Sequence, residues 1–559
     1  MDKRFALALL LTSIVVIVTP LLFPSPRRST SRPGVDTASR DNAETKTTLP
    51  VQDTLLSALP AATPQVITSQ PQPSNATLSA RAETTVVDGK NAVFRFTNVG
   101  ARLHSVELRE HKSFRAGREA VVVQGVAEPI VRYSLVSGTD TLNLDSTAFF
   151  RDSLSSESVV YRAQTKLGNL RLAYAVVPDS YVVRVSGALE SGNVAQLAIW
   201  LPGGIRSEEI DTIDDRGHLA FAVKSRRDDA RRIQFGDLDP GESDTTTGPI
   251  IWAASKNKYF LTALLALPTG DPFNTVIVTG KPRVAKAATQ ASMAVFHPIT
   301  PGKRFSFEVY AGPQEWRRLH ALGRDFENVN PYGGFMQALI QPFATMVMRA
   351  LLWMHERLQL SYGWVLVLFG IIVRIVLWPL NQSAMRTSLR MQRIQPQLTA
   401  VQQKYRANAE KQREEIMRVY REHGMTPFSP LVGCLPMLLP MPVLFALFFV
   451  FQNTIEFRGV PFLWLPDISQ ADPYYIIPIV MGLSMYVLSW IGMRNAPPNP
   501  QAKMMGYVLP VMMTVLFWRF ASGLNLYYTV QNIAALPQQW LIARERGKPT
   551  VTSSPPARA

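Results

Sequence analysis

Residues 361–380 constrain this chain most: Ser-Tyr-Gly-Trp-Val-Leu-Val-Leu-Phe-Gly-Ile-Ile-Val-Arg-Ile-Val-Leu-Trp-Pro-Leu. A run this long and this apolar can cross a bilayer as a helix. Inside it stands one cation, Arg374. At about 1.5 Å of rise per residue, Arg374 lies roughly 15 Å from Trp364 and roughly 9 Å from Leu380. A charge at that depth is costly, and such residues face a bundle interior or a water-filled cavity. The other course open to it is to snorkel toward the nearer, cytoplasmic headgroups.

The remaining apolar stretches sit at the two ends of the 559 residues. The first follows Lys3 and Arg4 and ends without a small-residue cleavage site, which predicts an uncleaved anchor over 1–23 rather than a signal peptide. Residues 24–81, rich in Ser, Thr, Pro and Ala, read as a flexible linker. Apolar segments at 428–451, 473–491, 505–520 and 524–542 bring the expected number of spans to six. The basic stretch 381–426, the loop 493–503 and the tail 543–559 belong in the cytoplasm. The loop 452–472, with Glu456, Asp467 and Asp472, belongs outside. One topology satisfies every loop: both termini cytoplasmic, and a large external domain between spans one and two. The formal charge of +16 could suggest nucleic acid, but basic residues also mark cytoplasmic loops. A single cysteine, Cys434, excludes an intramolecular disulfide.

The external domain, 82–330, reads as β. Ala92–Thr97, Tyr181–Ser186, Thr275–Thr279 and Arg304–Tyr310 alternate apolar and polar residues between Gly, Asp, Asn and Pro turns. Many short strands with little helix predict a large β-sandwich to about residue 315. A short polar helix is expected over 315–329. The acidic cluster Glu208, Glu209, Asp211, Asp214 and Asp215 is expected to be a solvated loop rather than a metal or glycosidase site. The seven histidines are scattered, and no nucleophile elbow, phosphate loop or dinucleotide fingerprint occurs. No enzymatic activity, metal or cofactor is therefore expected.

Residues 335–358 read as an amphipathic helix on the outer membrane surface. The cytoplasmic stretch reads as a hairpin of two helices, 383–406 and 410–422, with apolar positions at Met385, Leu389, Leu398, Val401, Tyr405, Ile416 and Tyr420. Its charge suits a lipid-facing surface or an acidic partner such as ribosomal RNA.

No acidic residue falls in the apolar cores of the last five spans, so Arg374 has no evident counter-ion. Its candidate neighbours are uncharged: Gln452 and Asn453, then Asn525, Tyr527, Tyr528, Gln531 and Asn532. Asn525, Tyr528 and Asn532 recur at i, i+3 and i+7, one stripe of a helix. A hydrated groove between such a stripe and Arg374 could accept the acidic or polar outer segment of a polypeptide crossing the membrane.

Several motifs now line up in order: Val373-Arg374 with Trp378-Pro379-Leu380, the basic hairpin, residues 425–436 with Pro440-Met441-Pro442, Asp472–Pro478, and Ser522-Gly-Leu-Asn-Leu-Tyr-Tyr528. In these the chain resembles the YidC/Oxa/Alb family of membrane protein insertases, over residues 335–542. The anchor and large external domain are similar to those of its bacterial members with a periplasmic domain. The resemblance implies a polytopic α-helical membrane protein of six spans. Five of them would form the insertase core, beside a periplasmic β-supersandwich. It implies insertion of nascent membrane proteins into the bacterial inner membrane, alone or with the Sec translocon, among membrane lipid. A ribosome would meet the hairpin and basic tail. It implies that Arg374 is the groove cation and that substrate contacts Tyr527 and Tyr528. Gly370 departs from the pattern, since some relatives carry a polar threonine there. The alternative is a secondary transporter binding an anionic solute at Arg374, but the chain lacks the paired halves of such folds. An anchored periplasmic enzyme acting on carbohydrate would need a motif that the β region lacks.

Overall fold

The structure, a computed structural model, describes residues 82–546 apart from 116, 127, 191–195, 282–289, 331, 333–336, 407, 424–440 and 495–499. The expected anchor, the linker, Cys434 with the first half of the third span, part of the 493–503 loop and most of the basic tail lie outside the described residues. The chain divides into a β unit, reaching Pro313 and including Leu322–Asn330, and a helical unit, Gln314–Ala321 and all from Pro331 on.

The β unit holds two antiparallel sheets. Thr84–Asp88, Ala92–Thr97, Arg102–Lys112 and Ala120–Val123 form the smaller. In the larger, Arg304–Pro313 pairs with Val182–Leu189 on one side and Phe260–Ala266 on the other. Alternation marks the half-buried strands correctly: Ala92, Phe94 and Phe96 point into the core while the residues between them do not. Phe260–Ala266 is buried at every residue, so it carries no alternation for a sequence reading to find.

The acidic cluster is a solvated loop only in part: Asp211 and Asp214 are exposed. Glu208, Glu209 and Asp215 are buried. Glu208 accepts hydrogen bonds from Ser113 Oγ at 2.7 Å, Arg118 Nη1 at 2.9 Å and Arg206 Nε at 3.2 Å. Asp211 caps the short helix α1 (Thr212–Gly217) by accepting from the backbone N–H groups of Ile213 and Asp214. Asp215 accepts from Asn257 Nδ2 at 3.2 Å and Lys258 N at 3.1 Å. Glu208 and Asp215 satisfy donors that burial would otherwise strand, so these two acids hold the fold together.

The helix expected over 315–329 is interrupted. It begins as α2 (Trp316–Ala321). Gly323, Arg324 and Asp325 then take positive φ values of 68°, 64° and 54°, a left-handed run that no right-handed helix continues. The division between units falls here too, at Leu322.

In the helical unit, α3 (Gln337–Leu358) buries Ile340, Ala344, Val347 and Leu351 in a core shared with Ala446, Leu447 and Val450 of α6 (Met441–Asn453). It is thus part of the helical core as well as amphipathic, with Met346 and Trp353 exposed. Next, α4 (Tyr362–Lys404) runs 43 residues without a break, about 65 Å. The expected junction between span and hairpin near 381 is absent; the span and the hairpin's first arm are one helix. The second arm is α5 (Ala409–Glu422), capped by Asn408, which accepts from Lys411 N at 3.1 Å. The arms close on Ile394, Leu398 and Val419, with Val401, Ile416 and Tyr420 around them. The rest is α7 (Ile476–Met493), α8 (Pro500–Phe517) and α9 (Ser522–Arg546).

Among the described residues, Tyr362–Pro379 and Ile476–Met493 are long and apolar enough to cross a bilayer, and Met504–Phe517 is a shorter apolar helix. These helices expose Ile375 (65%), Val376 (66%), Leu483 (60%) and Val515 (67%). So broad an apolar surface is what a helix turned toward hydrocarbon presents. The acids of the loop before α7 are spent locally. Asp472, fully buried, accepts from the backbone N–H groups of Tyr474 at 3.0 Å and Ile477 at 2.8 Å. Glu456 accepts from Trp316 N at 3.0 Å, while its Oε2 is sealed from solvent with no partner among the described residues. Burial pushes the Glu456 carboxyl up to about 7.

Candidate functional site

Arg374 is a part-buried residue on α4. No carboxylate among the described residues pairs with it. Its Nη2 donates to Gln538 Oε1 at 2.7 Å, and its Nε is sealed from solvent with no partner among the described residues. The guanidinium therefore meets α9 through a residue that the groove expectation omits.

Gln538 is completely buried. Besides accepting from Arg374, its Nε2 donates to the Trp378 carbonyl at 3.2 Å and to Gln382 Oε1 at 3.2 Å. One turn of α4 before Arg374, Gln531 Nε2 donates to the Gly370 carbonyl at 2.8 Å and to Tyr527 Oη at 3.1 Å. Gly370, Arg374, Trp378 and Gln382 are spaced by four along one face of α4, and Gln531 and Gln538 by seven along one face of α9. The glycine is what brings the helices close: a Cβ there would stand 3.0 Å from Val530 Cγ1 and 3.5 Å from Tyr527 Cδ2. That contact accounts for the small residue at this position.

The expected stripe turns elsewhere. Asn525 Nδ2 donates to the Phe517 carbonyl at 3.0 Å, Tyr528 packs edge-on against Phe517, and Asn532 Nδ2 donates to Ser484 Oγ at 3.0 Å on α7. The stripe holds α9 to α8 and α7. Of the six residues singled out beforehand, Tyr527 and Gln531 share the face that meets Arg374's helix. Asn525, Tyr528 and Asn532 do not. Asn453 bonds back to the Phe449 carbonyl at 2.8 Å, and nothing is described of the Gln452 side chain. The site contains one cation, several neutral amides and a tyrosine hydroxyl, a set that can bind and orient an anion.

Comparison with known proteins bears on this arrangement. The family model described as the 60Kd inner membrane protein matches residues 353–549, and that of the YidC periplasmic domain matches 84–346. A membrane protein insertase YidC of Anaeromyxobacter dehalogenans is 32% identical over 389 residues, covering 68% of each chain. The chain belongs to the YidC family. A YidC insertase of Chlorobaculum tepidum is 26% identical over 579 residues, covering 96% of this chain and 94% of its own. Among solved structures, an active YidC insertase with its first transmembrane domain resolved is 18% identical, covers 82% of this chain and 93% of its own, and has a TM-score of 0.33. YidC proteins are membrane insertases rather than enzymes, located in the inner membrane and carrying a periplasmic domain.

Proposed function

We propose that this YidC protein inserts nascent membrane proteins by drawing their polar outer segments toward Arg374. The observation that carries the reading is the guanidinium held by one neutral amide, that of Gln538, with no carboxylate paired with it among the described residues. Its positive charge stays available, and Coulomb attraction to an acidic segment is stronger there than in bulk water. Gln531 flanks the entry of that segment, the buried Tyr527 supports it from behind through their hydrogen bond, and Tyr528, Asn525 and Asn532 keep α9 in place. No bond is made or broken.

The architecture that fits this role has six spans, five of them forming the core, with both termini cytoplasmic and the β unit periplasmic. The exposed apolar faces of α4, α7 and α8 support lipid contact. The hairpin of α4 and α5, with Arg406, Lys411, Arg413, Arg418 and Arg421, suits a ribosome approached with the basic tail. Work beside the Sec translocon fits substrates with several spans. Photo-crosslinkers at the part-exposed Gln531 and Tyr528 test the reading. Capture of nascent membrane proteins is expected; capture of none, at normal protein level, overturns it.

A further inference from the structure

Gln538 has an amide whose orientation chemistry decides. Its oxygen faces a guanidinium, which only donates, and its nitrogen faces the Trp378 carbonyl, which only accepts. Reversing the amide would set donor against donor and acceptor against acceptor. Both N–H groups are used, on Trp378 and Gln382, and the residue has no solvent exposure. It is a rigid receptor for one side chain, built from three positions on a single face of α4. A leucine would fill the space without holding the guanidinium. A glutamate would hold it but cancel its charge and press a second acceptor against the Trp378 carbonyl. Glutamine alone among side chains of this length and shape fixes the cation against α9 while leaving its charge uncompensated.

We propose that Gln538 is a positioning residue that fixes the Arg374 guanidinium toward the groove with its charge intact, and so sets a preference for substrates whose outer segment carries carboxylates. The inference rests on the groove reading above.

The test uses the full chain in cells depleted of the wild type, with a matched pair of single-span substrates. Their outer segments differ only in carrying aspartates or asparagines. Gln538→Glu is expected to slow insertion of the aspartate substrate about tenfold, and of the asparagine substrate less than about twofold, the scale of one hydrogen-bonded charge. A merely structural role would slow both alike. The exchange Arg374→Gln with Gln538→Arg moves the charge across the same contact and is expected to restore the preference for aspartate. Equal slowing of both substrates by Gln538→Glu, or wild-type insertion of both, overturns the inference, as does an exchange variant that inserts without preference. Arg374→Ala separates the two failures. If it inserts both substrates normally, the groove reading itself falls. If it is defective on the aspartate substrate while Gln538→Glu is not, only the role of Gln538 falls.

Discussion

The two units treat a buried charge in opposite ways. In the β unit, Glu208 is sealed beneath two arginines and a serine hydroxyl. In the helical unit, Arg374 is held by a neutral amide and meets no carboxylate among the described residues. The first arrangement cancels its charge and leaves nothing to attract a partner. The second satisfies hydrogen bonds while leaving charge over. Neutralised charge serves the fold; charge left over is what the proposed insertase mechanism draws on.

The contrast can be broken at several points. Glu208→Ala should cost the β unit the most, about 2 kcal/mol, because Arg118 and Arg206 lose their acceptor but remain partly solvated. Chemical denaturation of the β unit measures it, with insertion unchanged at equal protein level. Arg374→Ala should leave the stability of the β unit alone and lower insertion of acidic substrates roughly tenfold, about 1.4 kcal/mol. Arg374→Lys should retain most activity, since the requirement is positive charge. Normal insertion by the alanine variant would erase the distinction between the units.

Gly370→Ala should cost about 1 kcal/mol by pressing Val530 and parting α4 from α9. Cysteine cross-linking between the two helices should weaken in step. A further effect shows only as a pH dependence and concerns Glu456, whose carboxyl is raised from 4.5 to about 7. A raised value means the folded state disfavours the ionised form, so stability falls as pH rises from 4.5 through about 7 and is level above. Glu456→Gln should therefore melt higher than the wild type at pH 8 and alike at pH 4. A gain that persists at pH 4 would show that ionisation is not the cause.

How much of this was legible in the sequence depends on what period each feature obeys. Half-buried strands such as Ala92–Thr97 announce themselves by alternation. Phe260–Ala266 does not, because covering both faces removes the signal. Arg374 was legible as a costly charge. Its partner was not, because contacts between helices depend on rotation as well as on composition. Adjacent residues on an α-helix differ by about 100°, so Asn532 reaches α7 while Gln531 reaches α4. The pair Gln531 and Gln538, seven apart, was the available clue. It lay behind a more conspicuous stripe of asparagines and a tyrosine. The acidic cluster misled in part for a related reason: Glu208 and Asp215 look as solvated as Asp211 and Asp214 unless Ser113, Arg118 and Asn257, distant in sequence, are known to meet them.

The unbroken α4 carries a consequence for anyone exchanging parts between relatives. Because the apolar segment Tyr362–Pro379 and the first arm of the hairpin share one continuous helix, the arm cannot be swapped as a loop. One residue inserted or deleted between Gln382 and Ile394 would rotate everything beyond it by about 100° and swing Ile394, Leu398 and Val401 off α5. Chimeras should preserve phase, joining in whole turns. A graft of the right length and the wrong phase would present its basic face in the wrong direction while its sequence looked intact.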